Sequence, residues 1–212
     1  MSLSENLQSA QSAARAVDSN MMTFGGAANK PDETKQNIWN ADPRSKNPVN
    51  YFNPGTMLIM GAQAQMKFKD VLAEQNRRLG LIRDEFMRKN PGDVEPWTKQ
   101  KLLDLAVLAR KYQAGQCTEQ VAIAFEYLIN KGVKQFDFMI QLPLRLDHVF
   151  LVIGRAKSDK TEWDIDKPPP WGDAAVVCDP WSSDKANRSY PASKLPDMMK
   201  LPYAVESLLR TE

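Results

Sequence analysis

Long apolar runs are missing from this chain of 212 residues, and with them the ~20 consecutive apolar residues that a membrane-spanning helix needs. An excess of charge is missing too. The 28 basic and 26 acidic residues leave a formal net charge of +2, which gives no electrostatic ground for binding nucleic acid or an anionic membrane. Two cysteines, Cys117 and Cys178, are too few for a disulfide framework. A single histidine excludes a His-rich metal site, so no metal and no organic cofactor is expected. The first 30 residues hold no apolar stretch of the kind a cleavable secretory signal carries. What is present, 42% hydrophobic and 25% charged residues, is the composition of a globular protein. The length suits one domain of about 150 residues with an extension.

The extension is read as residues 1–55, a polar and partly disordered leader rich in Ser, Gln, Asn, Ala and Gly, mobile over 1–30. It is either a terminus without a role or an export and chaperone-binding arm. Residues 56–212 are read as the functional domain. Thr56 is placed to cap a helix running to Lys89, with Phe68, Val71, Leu72, Leu79, Ile82 and Phe86 at helical spacing and Asn90-Pro91-Gly92 as its stop. A second helix is expected from Pro96 to Tyr112, carrying Leu102, Leu103, Leu105, Ala106, Leu108 and Ala109. A third starts at Cys117 and buries Val121, Ala122, Phe125, Leu128 and Ile129, with Gly132 just past its end. The period then changes to two. Phe136, Phe138 and Ile140 alternate with other residues, and Val149–Ile153 and 174–178 read as buried strands. Residues 156–173, with three consecutive prolines, read as a loop, and 202–210 as a short helix. Helices first and strands afterwards predict an α+β fold.

Three residues carry the chemistry. Cys117 follows Ala114-Gly115-Gln116 and opens an apolar helix. A thiol there feels the positive end of the helix dipole, which favours the thiolate, and the free N–H groups of the first turn can stabilise an oxyanion. His148 begins the strand that continues Val149-Phe150-Leu151-Val152-Ile153, and Asp179 ends the strand Val176-Val177-Cys178. Taken singly, each has an ordinary role: a small buried hydrophobe, a structural histidine, a turn former before proline. Taken together, they stand in the order Cys, His, Asp at intervals of 31 residues, with the thiol on a helix and the other two on strands a hairpin can pair. A nucleophile, a base and an orienting acid need that arrangement. Strand geometry favours Asp179 over Asp147 as the partner of His148, because neighbouring side chains on a strand point to opposite faces. Asp173 and Asp184 fall in expected loops. By the same alternation Cys178 faces the core.

The set Gly115-x-Cys117, Ala122, Leu128, Gly132-Val133, the Asp-His-x-Phe strand at 147–150 and Asp179-Pro180-Trp181 resembles the core of the papain-like and transglutaminase-like cysteine hydrolase superfamily over residues 96–190. In feel it is similar to bacterial secreted effector proteases and deamidases. The resemblance implies a central helix opened by Cys117 packed on a small antiparallel sheet, and Cys117, His148 and Asp179 as the catalytic set. It implies a protein substrate, including a host protein, and protease, glutamine deamidase or transglutaminase chemistry. It also implies a chain that stays cytoplasmic until exported without a cleavable signal, with a secretion chaperone on its leader. The chain departs from the pattern at two places. Val149, not an aromatic residue, follows the histidine. Gln113 and Gln116, the candidate oxyanion donors, do not stand at the papain spacing.

Trp171 and Trp181 are candidates for lining the mouth of the cleft, against ordinary packing at strand ends. Gly115, Cys117 and Glu119 also match the Gly-x-Cys-x-Glu start of arylamine N-acetyltransferases, so an acyl transferase of that kind is an alternative. The remaining rival is a non-catalytic interaction protein that keeps the fold, with Cys117 as a packing residue.

Overall fold

A computed structural model describes residues 1–20, 62–92, 96–142, 148–158, 162–164, 171–181, 188–195 and 204–211. They form helices α1 (Leu3–Asn20), α2 (Ala62–Lys89), α3 (Lys99–Tyr112) and α4 (Cys117–Asn130). Six strands follow: β1 (Phe136–Leu142), β2 (Val149–Ile153), β3 (Glu162–Asp164), β4 (Val176–Cys178), β5 (Ser189–Pro191) and β6 (Ala204–Arg210). The strands make one sheet in the order β3-β6-β1-β2-β4-β5, with every pairing antiparallel. Helices and an antiparallel sheet together make the fold α+β.

Local chemistry explains where the helices stop and start. Thr98 caps α3 by accepting the Lys101 N–H at 3.2 Å, so the helix begins at Lys99, slightly later than the expected Pro96. Gln113 ends it in the left-handed region, at φ 50°. α4 ends as the glycine predicts. Gly132 sits at φ 69°, its N–H reaches Ile129 O, and the Val133 N–H reaches Leu128 O, each at 3.0 Å. Val121, Ala122, Ile123, Ala124, Phe125 and Leu128 are all buried, which makes α4 the central helix. Of the residues expected to anchor α2, Ile82 and Phe86 are buried and Leu79 partly so. Thr56 and the side chains of Phe68, Val71 and Leu72 lie outside the described residues.

The sheet has two apolar faces. Phe136, Phe138, Val149, Leu151, Ile153, Val176 and Cys178 pack with α1, α3 and α4. Met139, Phe150, Val152, Val177 and Val205 form a second cluster with Trp171, Tyr190, Ala192 and Leu195. This accounts for the unbroken apolar run in β2, all five residues of which are buried. On the second face Asp137 is fully buried and held by Arg155 at 3.0 and 2.7 Å, Ser207 at 2.9 Å and Arg210 at 3.4 Å. Those partners satisfy a charge that would otherwise be costly at that depth.

Three expectations are corrected. The polar leader is not a free arm over its first part. Ser2 and Glu5 form a reciprocal cap, at 2.6 and 3.3 Å, and Ala10, Ala13, Ala14 and Val17 of α1 are buried against the sheet and α4. Alanines let the helix approach closely. At Gly154, φ 73°, an added Cβ would lie 2.1 Å from the Asn6 side chain. Residues 21–55, the rest of that leader, lie outside the described residues. Secondly, the expected helix at 202–210 is strand β6, inserted between β1 and β3. Its Val-Glu-Ser-Leu-Leu run fits either period over so short a span, and the pairing partners decide. Thirdly, the loop expected at 156–173 contains the three-residue strand β3. No helix among the described residues is long and apolar enough to cross a membrane.

Candidate active site

The site is built where the N-terminus of α4 meets one end of the β2–β4 pair. Cys117 is the first residue of α4 and is partly buried. Its position is set by Ala114 and Gly115, both buried, and by the start of the helix. The Gln116 N–H donates to Glu119 Oε2 at 2.8 Å, and the Gln120 amide donates to Gly115 O at 3.3 Å. Those bonds fix the turn that carries the thiol. Burial pushes the Glu119 carboxyl up, against the pull of the backbone N–H groups of Gln116 and Glu119 and of the Arg83 charge.

His148 directly precedes β2, and its carbonyl accepts the Gln141 N–H of β1 at 2.9 Å. Asp179 directly follows β4. The pairing of Leu151 with Cys178 brings the start of β2 and the end of β4 to the same end of the sheet. There His148 Nε2 and Asp179 Oδ2 are 2.9 Å apart. The acid is nearly enclosed, and the imidazole is little more exposed. The thiol of Cys117 acts on the same ring.

Electrostatics fix the resting state of the imidazole. Burial alone would lower its pKa, and this is the largest single influence. The charge of Asp179, its hydrogen bond and the interactions with Cys117 together outweigh it and raise the value from 6.5 to about 10. The balance of these influences favours the protonated ring at neutral pH. Its Nδ1 is buried and makes no hydrogen bond of ordinary geometry to the described protein atoms.

The other residues singled out by sequence divide. Trp181 is half-buried with its ring 5.4 Å from that of His148, tilted by 45°, so it borders the site. Trp171 does not line a cleft mouth: it is 1% exposed, inside the second apolar cluster. Its indole is too large and apolar for that cluster to leave in water. Gln113 is exposed, and its backbone N–H reaches the carbonyls of Ala109 and Arg110 at the end of α3. Gln116 is exposed and enters through its backbone N–H.

Cys178 faces the helices as the alternation requires, fully buried, with its thiol donating to Ala10 O at 3.5 Å. Burial, with the nearby Asp179 charge, raises its pKa well above the ordinary thiol range despite Arg188. Asp173 is exposed in a turn. Asp147 and Asp184 lie outside the described residues. Phe150, the aromatic residue of the Asp-His-x-Phe strand, has its ring 6.1 Å from that of the histidine. Among the described residues no group of three His, Cys, Asp or Glu side chains is placed to hold a metal ion.

Chemically, the arrangement offers a thiol at a helix N-terminus, a protonated imidazole and a carboxylate that holds it. The N–H groups of the first helical turn have no carbonyl partner within the helix and stand beside the thiol. No family model matches this sequence, and no curated protein or solved structure is significantly similar to it.

Proposed function

We propose that this protein is a cysteine-dependent acyl-transfer enzyme acting on protein substrates, with Cys117 as nucleophile, His148 as proton carrier and Asp179 as the acid that orients it. The observation that carries the reading is the His148–Asp179 contact of 2.9 Å, with the Cys117 thiol interacting with the same imidazole. Three residues from separate elements converge there, and the only histidine of the chain is among them.

In this reading the proton rests on the imidazole and the thiolate attacks a carboxamide carbon. The carbon–sulfur bond forms as the first-turn N–H groups of α4 take up the negative charge on oxygen. His148 then gives its proton to the departing nitrogen, and a thioester remains on Cys117. Water then attacks the thioester as the now neutral His148 takes its proton, and the carbon–sulfur bond breaks to restore the thiolate beside the imidazolium. A peptide-bond substrate is cleaved, and a glutamine side chain is deamidated with loss of ammonia. If an amine replaces water, the product is a crosslink. Trp181 borders the place where the acyl group sits.

The papain-like or transglutaminase-like core is part of the same proposal. It draws support from α4 lying on the antiparallel sheet with its N-terminus at the histidine. Export as an effector acting on a host protein rests on the family resemblance alone. The test is mass spectrometry of candidate proteins after exposure to wild type and to Cys117→Ala. Cleavage, a gain of one mass unit or a crosslink, present with wild type and absent with the variant, would each identify one branch. No covalent change in any substrate, with Cys117 no more reactive than Cys178, would refute the reading.

A further inference from the structure

Asp179 is held through only one of its carboxylate oxygens. Oδ2 meets His148, while Oδ1 is buried and without a hydrogen-bond partner among the described residues. Among the described residues no second side-chain bond therefore fixes the aim of the carboxylate. The direction of the side chain is set by its backbone, and that backbone is held from across the ladder: the Asp179 N–H donates to Arg188 O at 2.8 Å. Arg188 immediately precedes Ser189, the residue paired with Cys178.

Arg188 is in turn tied to the N-terminal helix. Its guanidinium pairs with Asp18 near the C-terminal end of α1, and both side chains are largely withdrawn from solvent. The same helix fastens β4 at two further points. The Asn6 amide donates to Ala174 O at 2.7 Å, and Ala10 O accepts the Cys178 thiol at 3.5 Å. Asn6, Ala10 and Asp18 thus follow β4 from the residues before it to the neighbour of Asp179.

We propose that Arg188 is a positioning residue, which holds Asp179 in register with His148 while Asp18 ties it to α1. Docking of the N-terminal helix is then linked to the aim of the acid, through one ion pair and one backbone hydrogen bond. The bearing on turnover rests on the acyl-transfer reading above. The coupling itself is a property of the contacts.

The ring of the single histidine reports it directly. Among the described residues, Asp179 and Cys117 are the groups that act on His148, so a shift in Asp179 moves the titration of the ring. We would follow that ring by NMR from pH 5 to 11 in the full chain, in 1 M salt, where the screening length falls to about 3 Å and distant charges are muted. Arg188→Gln is expected to lower the midpoint by about one pH unit, a tenfold loss of proton affinity. Arg188→Lys should restore most of it, and Asp18→Asn should give a smaller shift of the same sign. Should Arg188→Gln fail to fold, the partly exposed Asp18→Asn carries the test. An unchanged midpoint in the folded variants overturns the proposal. A shifted midpoint in a protein without covalent activity would sustain the coupling and sink the enzyme reading. An unchanged midpoint with full turnover would do the reverse.

Discussion

His148 and Asp179 lie 31 residues apart in the chain and 2.9 Å apart in space, and the acid, together with Cys117, outweighs the burial of the ring it holds. Removing the carboxylate should therefore act on both protonation and rate. Asp179→Ala is expected to lower the His148 pKa from about 10 towards the ordinary range. Turnover should fall by about one to four orders of magnitude, the range seen when an orienting carboxylate is lost. Asp179→Asn retains one hydrogen-bonding oxygen and should cost less. NMR titration of the ring, with kcat measured on the substrate found by mass spectrometry, gives both numbers. A folded Asp179→Ala enzyme with wild-type turnover would end the assignment.

The same shift makes stability depend on pH. The folded state holds the His148 proton more tightly than the unfolded chain does, about 10 against 6.5. Its contribution is thus fully present below pH 6.5, declines as pH rises between the two values, and is gone above about pH 10. Urea unfolding at several pH values across that window should show the decline. It should be largely flattened in His148→Asn, which has no proton to lose.

The two thiols should separate by reactivity. Cys117 is partly exposed, while Cys178 is fully buried with its pKa raised by burial. Iodoacetamide should label Cys117 far faster, and His148→Asn should slow that labelling while leaving Cys178 as it was. Cys178→Ala should cost about 1 kcal/mol, as a small core deletion does, with activity per folded molecule retained. Peptide mapping and thermal unfolding read the two effects. Equal labelling of both cysteines would count against Cys117 as the nucleophile.

A fourth expectation concerns the contact between Gly154 and Asn6. The backbone at Gly154 is left-handed, and an added Cβ would press on the Asn6 amide at 2.1 Å. Gly154→Ala should destabilise the protein by about 1–3 kcal/mol. Part of the loss should return in the double variant with Asn6→Gly, which clears the space but leaves the backbone strain. Additive losses in the cycle would show that α1 does not press on the sheet at that point.

The sequence made some of this readable and hid the rest for physical reasons. The start of α4 was legible because Gly115, Cys117 and Gly132 bracket a strongly apolar helix, and β2 because five apolar residues run without a break. The convergence of His148 on Asp179 followed from placing both at the ends of pairable strands. α1 was not legible, since its buried face is made mainly of alanine, which contributes little to an apolar pattern yet permits the closest packing. β6 was missed because its period is ambiguous and its place between β1 and β3 is a long-range fact. Trp171 and Trp181 look alike in sequence, and only packing tells the one in the core from the one at the site.

The burial of α4 on nearly every side has a mechanical consequence. The thiol is mounted on the innermost helix, the imidazole and the carboxylate on the sheet beneath it. Phe125 of α4 and Val149 and Leu151 of β2 belong to one apolar core between helix and sheet. Hydrogen exchange should find this helix among the last elements to open. The atoms proposed to react are thus carried by buried elements, and their placement belongs to the fold itself.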